Sequence, residues 1–190
     1  ARLESSDVCL IGPGLGRSEA VDKLVCEAVR RSRIPLVLDA DGINAVSGNI
    51  DILDEAACPV ILTPHPGEFK RLGGSPSGDR VSAARRFATA HGCILVLKGH
   101  RTVTALPDGS VYINTTGGPA MAKGGTGDVL AGMLTALIGQ KFPLKDAVLA
   151  AVYLHGNAGD LCAQAMGEYS VTASAIIEAL PQAIQNVTEQ

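Results

Sequence analysis

The 190 residues carry 16 Lys and Arg against 19 Asp and Glu, a formal charge of −3, which argues against the basic footprint of a dedicated nucleic-acid binder. Apolar residues at 46% and charged residues at 18% suit one substantial core rather than a disordered tail. Aromatic residues at 3%, with no Trp, disfavour base stacking, and no apolar run approaches the ~20 residues of a membrane helix. The polar start, Ala1 to Asp7, does not read as a signal peptide. The five cysteines are scattered singly without a CxxC pair, so buried reduced thiols in a cytoplasmic protein are expected.

In chain order, Asp7–Gly12 is a short apolar run ending in glycine, which predicts a strand buried on both faces. Ala20, Leu24, Val25 and Ala28 recur at helical spacing behind Ser18, a predicted N-cap. Strands are expected at Leu36–Leu38, Pro59–Leu62 and Cys93–Leu97, with a helix from Asp79 to His91. Thr102–Ala105 and Ser110–Ile113 flank Leu106-Pro-Asp-Gly109 and predict an antiparallel hairpin at one end of the sheet. Helices are expected over Thr126–Ile138, over Leu144–Met166 and from Ser170 onward. In the second of these, Gly156 and Gly159 would permit close helix contact and His155 reads as a core histidine. Buried strands alternating with helices indicate a three-layer α/β fold with a mainly parallel sheet.

The polar residues gather where the strands end, the edge at which open α/β sheets bind ligands. Gly12-Pro-Gly-Leu-Gly16 fits an anion-approaching loop or a plain strand-to-helix turn equally well. In Thr63-Pro-His-Pro-Gly-Glu68 two prolines suit a presented His65, while Glu68 fits either a metal-bound water or the first turn of a helix. Lys98-Gly99-His100-Arg101-Thr102 holds cations that suit nucleotide phosphates or a solvated turn. The decisive stretch runs from Asn114 to Asp128 and ends in Gly124-Gly125-Thr126-Gly127-Asp128 at a helix start, where unpaired N–H groups face an anion. Asp128 there suits a base for a substrate hydroxyl better than a cap alone, and the absence of GxxxxGK[ST] excludes a Walker A loop.

Gly124–Asp128, with Asn114 and Ala120-Met-Ala122 ahead of it, resembles the anion-hole signature of the ribokinase-like superfamily. Together with Gly12–Gly16, Leu38-Asp-Ala-Asp-Gly42, Thr63–Glu68 and Leu97-Lys-Gly99, in that order, the chain resembles the bacterial ADP-dependent NAD(P)H-hydrate dehydratases. The resemblance implies a three-layer ribokinase-like domain over 1–190, with a mainly parallel sheet and helices on both faces. The family usually carries a further N-terminal stretch before the Gly12–Gly16 strand, so a domain incomplete at that end, and weak in activity alone, is expected.

The resemblance also implies a lyase that repairs the S form of hydrated NADH or NADPH (NADHX, NADPHX) with ADP as phosphoryl donor and Mg2+. By motif, Gly14, Gly16 and His65 would contact the hydrate, and Lys98, Gly99, His100, Arg101 and Thr102 the nucleotide. Gly124, Gly125, Thr126 and Gly127 would lie against the nucleotide phosphates, Asp128 would act on the hydroxyl, and Glu68 matches an acidic position used around magnesium. A homo-oligomer acting on these small molecules, with no nucleic-acid or membrane partner, is the resulting expectation.

Overall fold

The computed structural model describes residues 5–75 and 78–188. They fall into two compact units, Ala1–Ile113 and Asn114–Gln190. The first holds the whole sheet. Its strands β1 (Cys9–Ile11), β2 (Leu36–Leu38), β3 (Val60–Leu62) and β4 (Ile94–Leu97) run parallel, and β5 (Val103–Ala105) and β6 (Val111–Ile113) continue it antiparallel. Spatial order equals chain order. Helices α1 (Glu19–Arg31), α2 (Asp41–Ser47), α3 (Pro66–Arg71) and α4 (Arg80–Ala90) connect the parallel strands.

Alternation along each strand sorts the side chains onto two faces. Leu36, Leu38, Leu62, Leu95, Leu97, Val103 and Ala105 share one core with Val25 and Val29 of α1, Ile43 and Val46 of α2, Phe69 of α3, and Ala84 and Phe87 of α4. Phe69 and Phe87 meet edge to face, ring centroids 5.4 Å apart, an arrangement that adds about 0.5–1.5 kcal/mol to area burial. The opposite face carries Val37, Ile61, Ile94 and Val96, also buried. Continuous apolar runs in β2, β3 and β4 follow from burial on both faces. β1 differs from its expectation: all three of its residues are only half-buried. It lies at the sheet edge among the described residues, paired to β2 alone. Cys9, Cys26 and Cys58 are half-buried, on β1, on α1 and just before β3, while Cys93 and Cys162 are buried, and all five are free thiols.

The predicted N-cap at Ser18 is present, and Asp79 adds another. The Ser18 hydroxyl accepts the Val21 N–H and starts α1, which contributes about 1 kcal/mol at such positions. The Asp79 carboxylate accepts the Val81 and Ser82 N–H groups and starts α4. The second unit is helical, with α5 (Thr126–Gly139), α6 (Leu144–Met166) and α7 (Ala173–Thr188). Ala158 and Cys162 of α6 and Ile176 and Ala183 of α7 share its core with Ala120 and Val171. Gly156 and Gly159 serve a different contact from the one expected. A Cβ on Gly156 would stand 2.3 Å from the Thr116 hydroxyl, and one on Gly159 2.4 Å from the Met121 sulfur. The small residues of α6 admit the 114–123 loop, and His155 beside them is half-buried.

Gly12 and Gly16 separate two costs of replacing glycine. Gly12 has φ +139° and a Cβ there would lie 1.7 Å from the Asp39 carbonyl oxygen; Gly16 has φ +78° with nothing within 4 Å. Gly12→Ala is expected to destabilise by more than about 3 kcal/mol, a fall in Tm of roughly 10 °C, whereas Gly16→Ala costs only the left-handed backbone, about 1–2 kcal/mol. Thermal denaturation of the pair checks this, and equal losses would contradict it.

Asp79 supplies a pH signature. The Ser82 hydroxyl, then the Ser82 and Val81 N–H groups, hold its carboxyl below the usual range. A carboxyl lowered in the native state stabilises above its unfolded value and loses that contribution as pH falls through the native one. Asp79→Ala therefore lowers Tm at neutral pH, and the difference from the parent closes on acidification below about pH 4. A gap independent of pH contradicts the cap.

Candidate functional site

In the sheet unit, three successive strand ends are tied together by side chains. β1 ends in Gly12, whose close approach to Asp39 is matched by Gly42, where a Cβ would stand 2.3 Å from the Ile11 carbonyl oxygen. The Asp39 N–H donates to that same carbonyl at 3.1 Å. The loop then turns through Gly14 and Gly16, both at positive φ. The Gly16 N–H donates to Asp41 Oδ2 at 3.0 Å. Between Asp39 and Asp41, Ala40 sits at φ 48°, ψ −115°, a region that costs a side-chain-bearing residue about 1–3 kcal/mol. The strained turn points two carboxylates, one residue apart, at different loops.

Asp39 is 2% exposed. Its Oδ1 accepts the Thr63 hydroxyl at 2.6 Å and the Lys98 ammonium at 2.7 Å. Lys98 in turn is fixed at its backbone, donating its N–H to the Pro64 carbonyl at 2.8 Å. The ends of β2, β3 and β4 thus meet on one buried oxygen. A buried carboxylate without a partner costs several kcal/mol, so Lys98 and Asp39 hold each other in place. The Lys98 ammonium is engaged inside the unit, its side chain 20% exposed.

Beyond Lys98 the loop is gripped from α4. Arg80 donates to the carbonyls of Leu97, Lys98 and His100, and the Thr102 hydroxyl donates to the Gly99 carbonyl at 3.1 Å. Gly99 at φ 143° and Arg101 at φ 55° give the loop its path, which leaves Gly99, His100 and Arg101 exposed.

His65 and Glu68 form the N-terminal cap of α3. Nδ1 of His65 accepts the Gly67 N–H at 2.9 Å and the Glu68 N–H at 3.3 Å, while Glu68 Oε2 accepts the His65 N–H at 2.8 Å. An accepting Nδ1 puts the proton of the neutral ring on Nε2, 3.5 Å from Glu68 Oε1. The imidazole is 52% exposed and presents an N–H donor; the Glu68 side chain is 7% exposed and occupied by the cap. No group of three or more His, Cys, Asp or Glu side chains suited to hold a metal ion occurs among the described residues.

In the helical unit, the 114–123 loop is anchored by the Asn114 amide, which donates to the carbonyls of Thr116 and Val152. Asp160 of α6 adds an anchor, accepting the Gly117 N–H at 2.8 Å. The loop ends at Gly125, the N-cap of α5, in the left-handed conformation at φ 87° and without any side-chain cap. The Thr126 hydroxyl turns back to the Met121 and Lys123 carbonyls, each at 2.9 Å. The first turn of α5 thus carries no side-chain cap, and its Thr126 N–H reaches only the Lys123 carbonyl, at 3.5 Å. Gly124 and Asp128 are exposed at this end, and Gly127 is half-buried.

Each candidate site residue named from the sequence lies in a strand-end loop or the α3 start of the sheet unit, or at the start of α5. Asp39, Asp41, Thr63 and Arg80 were given no role there. The signal for the first two was present in Asp39-Ala-Asp41, a pair of carboxylates directly after a fully buried strand. Nothing in the sequence distinguishes Arg80 from the other cations of its helix.

The NAD(P)H-hydrate dehydratase family model matches residues 1–182. A bifunctional NAD(P)H-hydrate repair enzyme from Moorella thermoacetica is 44% identical over 195 residues, covering 100% of this chain and 36% of the relative. An ADP-dependent (S)-NAD(P)H-hydrate dehydratase from Bacillus subtilis is 39% identical over 176 residues, 90% of this chain and 62% of the relative. The chain thus spans from about a third to under two thirds of the length of these curated relatives. A crystal structure of the Bacillus subtilis ADP/ATP-dependent NAD(P)H-hydrate dehydratase, co-crystallised with ATP and Mg2+, superposes with a TM-score of 0.83 at 36% identity over 95% of this chain and 66% of that one. A ribokinase-like superfamily protein from Enterococcus faecalis gives 0.85 at 33% identity, over 97% of this chain and 64% of that one. The fold is the ribokinase-like α/β fold, and the chain belongs to the NAD(P)H-hydrate dehydratase family.

Proposed function

We propose that the chain carries the site of an ADP-dependent dehydratase that returns the S form of hydrated NADH or NADPH to the reduced nucleotide. The observation that carries this reading is the start of α5: a left-handed glycine N-cap with no side-chain cap, and an exposed carboxylate in the first turn. Orphan N–H groups and the helix dipole favour an anion there. Gly124, Gly125, Thr126 and Gly127 are assigned to the nucleotide phosphates, and Asp128 to the substrate hydroxyl. Asp128 takes the hydroxyl proton as the oxygen attacks the terminal phosphorus of ADP and AMP leaves. Loss of inorganic phosphate from the phosphorylated hydrate then restores the nicotinamide ring, so hydrate and ADP give NAD(P)H, AMP and phosphate.

The sheet unit is assigned recognition. The Lys98–Thr102 loop, exposed at Gly99, His100 and Arg101, suits the nucleotide, and Gly14, Gly16 and the Nε2–H of His65 suit polar atoms of the hydrate. Mg2+ bound with the nucleotide would neutralise phosphate charge, and such an ion needs only one or two carboxylates beside phosphates and water. Glu68 fits that role at most through water, since its oxygens are held at the α3 cap.

Asp128→Asn keeps the size of the side chain and is expected to lower kcat by about 10²–10⁴-fold, the usual contribution of a positioned base. ADP affinity and Tm should change little. Recovery of reduced-nicotinamide absorbance, measured at saturating S hydrate and ADP, reads kcat. Near-normal kcat in the variant would leave Asp128 as a helix-start residue only.

Gly127→Val crowds the first turn of α5 and is expected to weaken ADP binding at least tenfold by calorimetry, because a backbone cradle tolerates no side chain at the anion. Unchanged affinity would remove the phosphate role of this loop. Phosphorylation of a small alcohol without regeneration of NADH would assign the same loop to a kinase instead.

A further inference from the structure

We infer that the Asp39-Ala40-Asp41 turn is a positioning device that presets two ligand loops separately: Asp41 the Gly12–Gly16 loop, and Asp39, with Thr63, the Lys98–Thr102 loop. The inference rests on the proposed reading for what each loop binds, and on the geometry of the sheet unit for how each is held.

Asp41 spends Oδ2 on the Gly16 N–H at 3.0 Å and Oδ1 on the Asn44 amide at 3.3 Å. Gly16 lies at positive φ in an exposed loop whose glycines leave many backbone conformations open. A single acceptor fixed on a helix start narrows that choice before any ligand arrives. Asp39 acts on the other side. Its one oxygen, Oδ1, receives both Thr63 and Lys98, so the first residue of the β4–β5 loop is fixed at backbone and side chain together. Arg80 then fixes the carbonyls that follow. The strained Ala40 between the two carboxylates is the cost of aiming them apart, and strain of this kind persists where the surroundings over-determine it. Interlocking backbone supplies that over-determination: Gly12 and Gly42 admit no side chain, and the Gly42 N–H donates to the Asp39 carbonyl at 2.9 Å. Neither carboxylate needs to touch ligand for this. Both act through another residue by lowering the ordering cost that binding would otherwise carry.

The separation of roles makes the inference testable. Asp41→Ala should raise KM for the S hydrate of NADH roughly tenfold, the upper range for one hydrogen bond, with the Kd for ADP within about twofold. Asp41→Asn keeps an acceptor for the Gly16 N–H and should recover most of the loss; a helix-dipole role for Asp41 would instead fail with the charge. Asp39→Asn should weaken ADP binding roughly tenfold by calorimetry and leave the hydrate KM within about twofold. Should Asp39→Asn fail to fold, Thr63→Val keeps the Lys98–Asp39 pair and removes one hydroxyl, with an expected loss of about threefold in ADP affinity. Variants of the two carboxylates that impair both ligands alike, or neither, overturn the inference, as does an Asp41→Asn protein as weak as Asp41→Ala. A parent chain that neither binds ADP nor converts the hydrate sinks the proposed function first, and the inference with it. A parent that does both while the crossed pattern is missing sinks the inference alone.

Discussion

The sheet unit depends on a carboxylate that has been taken out of water. Asp39 follows a strand with no exposed residue, and burying its charge is tolerable only with a cation and a hydroxyl at hydrogen-bond distance. Satisfying it draws Thr63 and Lys98, from the ends of two other strands, onto a single oxygen. The apolar layers of β2, β3 and β4 set how far apart those strand ends lie, and the carboxylate sets what their first loop residues do. A merely hydrophobic filling of the same position would pack as well and leave the loops without a common reference. The buried pair therefore speaks to specificity of arrangement more than to net stability, consistent with the small or negative gain expected when such pairs are compared with apolar residues.

The helical unit solves a different problem with the opposite means. Where the sheet unit draws two donors onto one oxygen of Asp39, the start of α5 leaves its first turn without a side-chain cap. The loop before it is heavily anchored, by Asn114, Thr116 and Asp160, so the open helix end is not a loosely held one. Rigid anchoring next to unsatisfied donors is the arrangement that favours an incoming anion over a mobile protein side chain. Glycines at 117, 156 and 159 belong to this anchoring: each lies where a Cβ would meet a neighbour at 3.0 Å or less.

Much of this was legible in the sequence because it depends on local pattern. Apolar runs marked β2, β3 and β4, Ser18 and Asp79 marked helix starts, and Leu106–Gly109 marked the hairpin that turns the sheet antiparallel. The half-burial of β1 was not legible, since Cys9-Leu-Ile11 reads like any buried strand and only the pairing order puts it at an edge. The candidate loops were legible as clusters of Gly, His, Lys and Asp, but their internal bookkeeping was not. Lys98 and Asp39 are 59 residues apart, and Asp41 and Gly16 are 25 apart; no spacing rule connects them. His65 and Glu68 show the converse. Their three-residue separation already allowed a helix-start reading for Glu68, and the capping box realises it while the His65 imidazole stays half-exposed, its Nε2 3.5 Å from Glu68 Oε1.

The central proposal is that each of these loops, within its own unit, has its backbone held in advance of any nucleotide. Amide chemical shifts of the 15N-labelled chain on titration with ADP and Mg2+ test it most directly. Saturable changes are expected in the amides of residues 98–102 and 124–128, with the remainder of the sheet unit nearly still. Shifts centred on other surfaces, or a spectrum in which β2, β3 and β4 rearrange on binding, would contradict it.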